Sequence, residues 1–215
     1  IYKKDIIEKE PIKLLLKLFL FGILSTGVAL FLEIYAEKIF PFSLQSNIIG
    51  IIFRSFIIIS FCEELVKWLF TYVICWKDKN FNYVYDAIVY CVFISLGFAS
   101  VENLIAILSN SGGFTLALQR GLITVPAHAF FGIISGYYLG IAKKYEARRW
   151  NKRKRKYIIL SLLIPIIVHG MFDSLLFLSS TASLLFATAL IVYLYLSSAL
   201  KVVKTSSEAK KITRR

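Results

Sequence analysis

The residues best able to do chemistry in this chain stand inside apolar stretches. FCEELVKWLF carries Glu63, Glu64 and Lys67, GFASVENLI carries Glu102 and Asn103, PAHAFFG carries His128, and VHGMFDSLL carries His169 and Asp173. Arg120 lies near the outer end of the stretch that carries His128, and Asp86 near the inner end of the one that carries Glu102. An ionisable group at the centre of a bilayer costs about 2.5–3.5 kcal/mol on insertion scales, so each one calls for a partner or a purpose. Taken singly, a residue such as His128 or Asp86 reads as a packing group satisfied by a neighbouring helix. Glu63, Glu64, Glu102, His128 and His169 together, at similar depth on four successive apolar segments, exceed what packing alone asks for.

Helical spacing gives the set a common geometry, because residues four apart share a face. Glu63 pairs in this way with Lys67, His169 with Asp173, and Phe98 with Glu102. Glu64 lies about 100° around from Glu63, so that helix is expected to turn a broad polar face inward. Glu63, Glu64, Glu102 and Asp173 oppose only Lys67 and Arg120, which leaves a surplus of two negative charges to be relieved by protons or a cation. Peptide hydrolysis needs a base for water, donors for the oxyanion and an acid for the leaving amine. Glu63 or Glu64 serves as the base, with Lys67 holding the pair's charge, and His169 and His128 as proton donors or oxyanion stabilisers. Asn103 adds a neutral donor, and Asp173 either orients the assembly or pairs with Arg120. A zinc site of Glu102, His128 and His169, with Glu63 as base, is the metal alternative, although no HExxH occurs. Ser60, Ser95 and Ser100 have no evident histidine or lysine partner and no GxSxG, which argues against a serine nucleophile.

The elements that must position these groups follow from composition. Of 215 residues 58% are hydrophobic and 18% charged, with mean hydropathy +0.70, beyond what a soluble domain carries. Runs long enough for a hydrocarbon core of about 30 Å fall near 12–35, 48–74, 84–108, 116–142, 157–178 and 182–203. The expected fold is therefore all-α: a polytopic transmembrane bundle of about six helices forming a single domain over 1–215, with a basic tail at 205–215. The first run lacks a small-residue cleavage site and is read as a retained helix. Lys and Arg number five through Lys17, two in the 75–83 loop, nine in the 143–156 loop and six from Lys201 onward, against Lys38 and Arg54 on the other side. That asymmetry puts both termini in the cytoplasm of a multi-pass cell-membrane protein. The net charge of +13 is concentrated at this boundary, so KKYEARRWNKRKRK is expected to meet anionic headgroups rather than nucleic acid. Trp76, Trp150, Tyr83, Tyr145 and Tyr157 gather at the same boundary, as interfacial aromatics do. Cys62, Cys75 and Cys91 show no metal spacing and form no complete disulfide set.

EELVK at 63–67, FASVEN at 98–103, PAHAF around His128 and HGMFD at 169–173 resemble, in this order, the PrsW family of bacterial membrane proteases. These are relatives of the type II CAAX prenyl proteases and of the wider bacteriocin-processing and immunity superfamily. YDAIVY at 85–90 also resembles the entry to the family's third motif helix, and the likeness spans roughly 50–175. It implies a glutamate-dependent peptidase with no metal and no other cofactor. Its implied substrate is a membrane-anchored anti-sigma factor, whose site-1 cleavage releases an extracytoplasmic-function sigma factor under envelope stress. By motif match the catalytic set is Glu63, Glu64, Glu102 and His169. Relatives carry His at the position of Glu102, and Asn is common at that of Asp173, which leaves Glu102 open as base, ligand or scaffold.

Two other classes compete. An ion-coupled transporter would also use intramembrane acids and histidines, but the halves show no inverted repeat. A non-catalytic peptide-binding or immunity protein would hold its peptide and leave its mass unchanged.

Overall fold

The computed structural model describes residues 9–109, 113–207 and 212. Every major element is helical: α1 Ile12–Ile39, α2 Ile48–Phe53, α3 Phe61–Cys75, α4 Val84–Ser109, α5 Gly113–Ala147, α6 Asn151–Leu178 and α7 Thr181–Ser207. A 3-10 turn, Pro41–Leu44, follows α1, and a π-helical stretch, Arg54–Ser60, joins α2 to α3. Phe53, Arg54, Ser60 and Phe61 all keep right-handed helical backbone, so 48–75 runs as one rod of about 42 Å. With this rod the described residues make the six-helix, all-α bundle expected from the sequence. Among the described residues five helices, α1, α4, α5, α6 and α7, are apolar enough as well as long enough to cross a membrane. The rod is the exception because it carries Arg54, Glu63, Glu64 and Lys67.

Polarity runs inside out. Leu16, Leu20 and Phe31 of α1 and Leu185, Phe186 and Tyr193 of α7 face outward, while Glu63, Lys67, His128 and His169 are each 5% exposed or less. A chain solvated by lipid gains nothing by hiding leucine and loses much by leaving charge outside.

The centre is α4, buried without a break from Tyr85 to Val92 and packed against α1 on one side and α5 on the other. Helices come this close in lipid only where side chains are small. Gly132, Gly136 and Gly140, one turn apart on α5, face the carbonyls of Cys91, Ala87 and Val84 on α4, and a Cβ on any of them would collide with that backbone. Gly22 and Gly97 repeat the arrangement between α1 and α4, where Thr26 Oγ1 also donates to Phe98 O at 3.3 Å. The π stretch has a packing partner too. Phe56 fills the space beside Gly170 of α6, where a Cβ would lie 2.6 Å from the ring, and Arg54 sits over Phe177 while pairing with Glu37.

One local expectation is corrected and two others gain detail. The 143–156 segment is mostly helix: α5 runs to Ala147, Arg149 turns the chain at φ 59°, and α6 starts at Asn151. Glu146 ties this corner together through Lys143 at 3.1 Å, Lys154 at 2.8 Å and Trp76 Nε1 at 3.1 Å. Asp86, which lies near the inner boundary, is fully buried; it accepts from the amides of Asn82 at 2.8 Å and Tyr83 at 2.6 Å and so closes the start of α4. The aromatic belt is a stack, with Tyr145 against both Trp150 at 5.7 Å and Tyr157 at 5.3 Å. All three cysteines are free and buried. Of the basic tail at 205–215, residues 208–211 and 213–215 lie outside the described residues.

Replacing Gly136 by Leu should lower thermal stability in detergent by about 1–3 kcal/mol or prevent folding, because α4 cannot retreat without opening the bundle. Gly27→Ala, where a Cβ meets nothing within 4 Å, should leave the melting temperature unchanged or slightly raised.

Candidate active site

Every sequence-predicted site residue belongs to one connected network. α3 supplies Glu63, Glu64 and Lys67 on its first two turns, α4 supplies Glu102 and Asn103, α5 supplies Arg120 and His128, and α6 supplies His169 and Asp173. Lys67 is the hub. Its Nζ lies 2.6 Å from Glu64 Oε1, 3.4 Å from Glu63 Oε2 and 3.3 Å from His128 Nδ1. An ammonium has three N–H bonds and no lone pair, so these three acceptors use all its donors. The ring then receives a hydrogen bond at Nδ1 and donates from Nε2, which meets Glu102 Oε2 at 2.7 Å. Glu102 Oε1 takes Arg120 Nη2 at 2.6 Å, and Arg120 Nε donates to Asn103 Oδ1 at 2.6 Å. Asn103 is held in turn by Ala99 O at 2.7 Å.

On the other side Glu64 Oε1 also receives His169 Nδ1 at 2.9 Å, while His169 Nε2 lies 3.3 Å from Asp173 Oδ2 and 4.0 Å from Glu63 Oε2. Apolar groups fix the rings. Phe131 stacks on His169 at 4.6 Å, and Lys67 Nζ sits 4.4 Å above the Phe98 ring. Of the two partners foreseen for Asp173, His169 is the one it meets, while Arg120 meets Glu102 and Asn103.

A cavity of about 300 Å³ opens beside the network. Glu63, Glu102, Arg120, His128, His169 and Asp173 line it, whereas Glu64 and Lys67 stand behind them. The two adjacent glutamates are thereby distinguished. Glu64 is locked between an ammonium and an imidazole; Glu63 holds Lys67 more loosely and faces the cavity. Counting 1.5 Å per residue, Glu102 lies about 10 Å from the Ser109 end of α4 and about 27 Å from Val84. Likewise His169 lies about 13 Å from Leu178 and about 27 Å from Asn151. The site thus sits toward the ends of the helices that carry few lysines and arginines.

Glu33 escaped the sequence reading. It lies on α1 and lines the same cavity. In the sequence it stands close to Glu37 and Lys38 near the end of a long apolar run, where an acid reads as a helix terminus meeting water.

The metal alternative takes a different form from the one the sequence suggested. The ligand atoms that converge, within 4.8 Å of one another, belong to Glu63, Glu64 and His169. His128 Nε2 faces Glu102 and its Nδ1 faces the Lys67 ammonium, and it stands outside this set. Two carboxylates and an imidazole are a donor set suited to a divalent ion such as zinc, so the residues fit one.

Removing the hub should be costly. Lys67→Met leaves Glu63, Glu64 and His128 without their shared donor and should destabilise the folded protein by about 3–5 kcal/mol in a detergent melting experiment. A melting temperature equal to the wild type's would mean that the three acceptors do not depend on Lys67.

Comparison with known proteins identifies the family. Residues 10–200 match the model of the PrsW family, described as intramembrane metalloproteases, a longer stretch than the four motifs span. The chain is 31% identical over 214 residues to Protease PrsW of Clostridioides difficile, covering 99% of this chain and 87% of that one. It is 42% identical over 127 residues to Protease PrsW of Halalkalibacterium halodurans (59% and 56%), and 34% identical over 175 residues to that of Geobacillus kaustophilus (81% and 72%). No solved structure matches the chain significantly. With a family match over nearly its whole length and a buried acid–histidine–lysine network on the helices that carry the family's motifs, the chain belongs to the PrsW family of intramembrane proteases.

Proposed function

We propose that the chain is an endopeptidase that cleaves a membrane-anchored protein with water activated by Glu63. The observation that carries this reading is the unequal treatment of the adjacent glutamates: Glu64 is tied down by Lys67 at 2.6 Å and His169 at 2.9 Å, and Glu63 lines the cavity. Glu63 takes a proton from water as the water oxygen attacks the peptide carbonyl carbon. His169, held at Nδ1 by Glu64 and steered by Asp173, delivers a proton from Nε2 to the amine as the C–N bond breaks. Arg120, His128 and Asn103 line or brace the wall that meets the developing oxyanion. Lys67 keeps Glu63 and Glu64 side by side without letting either leave the helix face.

A second reading has its own support. Glu63, Glu64 and His169 are the residues that would hold a divalent ion, and an ion bound there supplies Lewis acidity to the reaction. In that case Asp173, Glu102 and His128 keep their tasks of orienting His169 and steadying Lys67.

The substrate we propose is a single-span anti-sigma factor, cut at site 1 in the envelope stress response. The cavity's position toward the lysine-poor helix ends favours a bond near the outer side of the membrane. This orientation, with both termini in the cytoplasm, rests on the distribution of Lys and Arg. The basic corner of α5 and α6, 143–156, then lies against anionic headgroups on the inner side.

Purified protein in liposomes, given a single-span substrate and followed by mass, should cleave it. Glu63→Gln and His169→Ala should each lower kcat by at least about a hundredfold, the scale of a lost general base or acid. Activity kept in the presence of a strong chelator supports water activated by Glu63 alone; activity lost there and restored by zinc supports the ion. An active Glu63→Gln together with an active Glu64→Gln would contradict both.

A further inference from the structure

One carboxylate of the cavity has no task in this mechanism. Glu33 enters from α1 and lines the cavity with Glu63 and Glu102. Its Oε1 is buried and has no hydrogen-bond partner, and it makes no ion pair among the described residues. Every nearby cation is committed elsewhere. Lys67 serves Glu63, Glu64 and His128; Arg120 serves Glu102 and Asn103; Arg54 is held by Glu37 at 2.9 Å, one turn beyond Glu33. His169 lies between Glu64 and Asp173.

A buried carboxylate oxygen without a donor is costly to the free protein, and the cost disappears if the missing donor arrives with a ligand. An ionised carboxylate only accepts hydrogen bonds, so the ligand group must bring N–H or O–H donors. A cation satisfies it better than a neutral donor, because Glu63, Glu102 and Asp173 line the same cavity and add to the negative potential there. Leu30, Ile59, Ile105 and Ala106 line the same cavity. They suit the methylene stem of a lysine or arginine whose charged head reaches Glu33.

We propose that Glu33 is a specificity-determining residue that selects substrates with a lysine or arginine beside the cleaved bond. This rests on the protease reading above. An acidic residue at the same substrate position meets Glu33, Glu63, Glu102 and Asp173 together and is rejected.

The test uses the full-length protein in liposomes and a set of single-span peptides, identical except that Lys, Leu or Asp is placed in turn at each position flanking the cleaved bond. The wild type should prefer Lys over Leu at one position by roughly tenfold or more in kcat/KM, with the difference mainly in KM. Glu33→Gln should shrink that ratio, and Glu33→Lys should invert it in favour of Asp. Melting temperatures of both variants establish that they are folded. Equal wild-type cleavage of all peptides, or a Lys preference that survives in folded Glu33→Lys, would overturn the role of Glu33 and leave the protease standing. Wild-type protein that cleaves none of the peptides would contradict the protease reading itself.

Discussion

The ammonium of Lys67 has three donors and, in this bundle, three acceptors contributed by two helices. Everything else at the site depends on that closure. A lysine buried in hydrocarbon is tolerable only when each N–H is used, and adjacent glutamates are tolerable only when a cation lies between them. Because His128 accepts from Lys67, its other nitrogen is committed to Glu102, and Glu102 is thereby aligned with Arg120. Because Glu64 is shared between Lys67 and His169, the imidazole on α6 is fixed relative to the carboxylates on α3. One ammonium thus sets the relative positions of groups on α3, α4, α5 and α6.

Such short distances between helices require close backbones. The glycines at 132, 136 and 140 let α5 lie against the carbonyls of α4, which brings Glu102 and His128 within 2.7 Å. Gly170 does the same for α6 and the π stretch, whose wider turn places Phe56 beside it. Packing and chemistry share a cause: in lipid, helices associate through small residues and polar bonds, and here the polar bonds form the site.

Much of this was legible in the chain. The spans follow from hydropathy, and the site residues are those whose presence in a span is energetically unexplained. Spacing of four residues correctly paired Glu63 with Lys67 and His169 with Asp173. What could not be read was interhelical. Whether Asp173 met His169 or Arg120 depended on helix rotation, which spacing does not set, and so did the separation of Glu63 from Glu64 by cavity exposure. Glu33 was hidden because an acid near a helix end looks solvated until a neighbouring helix covers it. The π stretch has no glycine or proline to announce it; it packs Phe56 against Gly170, a contact between distant segments. The basic segment at 143–156 looked like a loop because charge runs usually are, and here Glu146 and the interfacial aromatics hold it in helix.

The central claim is that the buried charges hold one another in place and that the same charges perform hydrolysis. A double-mutant cycle of Lys67→Met and Glu63→Gln, read both as melting temperature and as cleavage of a single-span substrate, tests it most directly. The account predicts that the double variant regains much of the stability lost in Lys67→Met, since the unpaired charge is removed, and yet remains inactive. Additive losses of stability, or a double variant that cleaves as the wild type does, would contradict it.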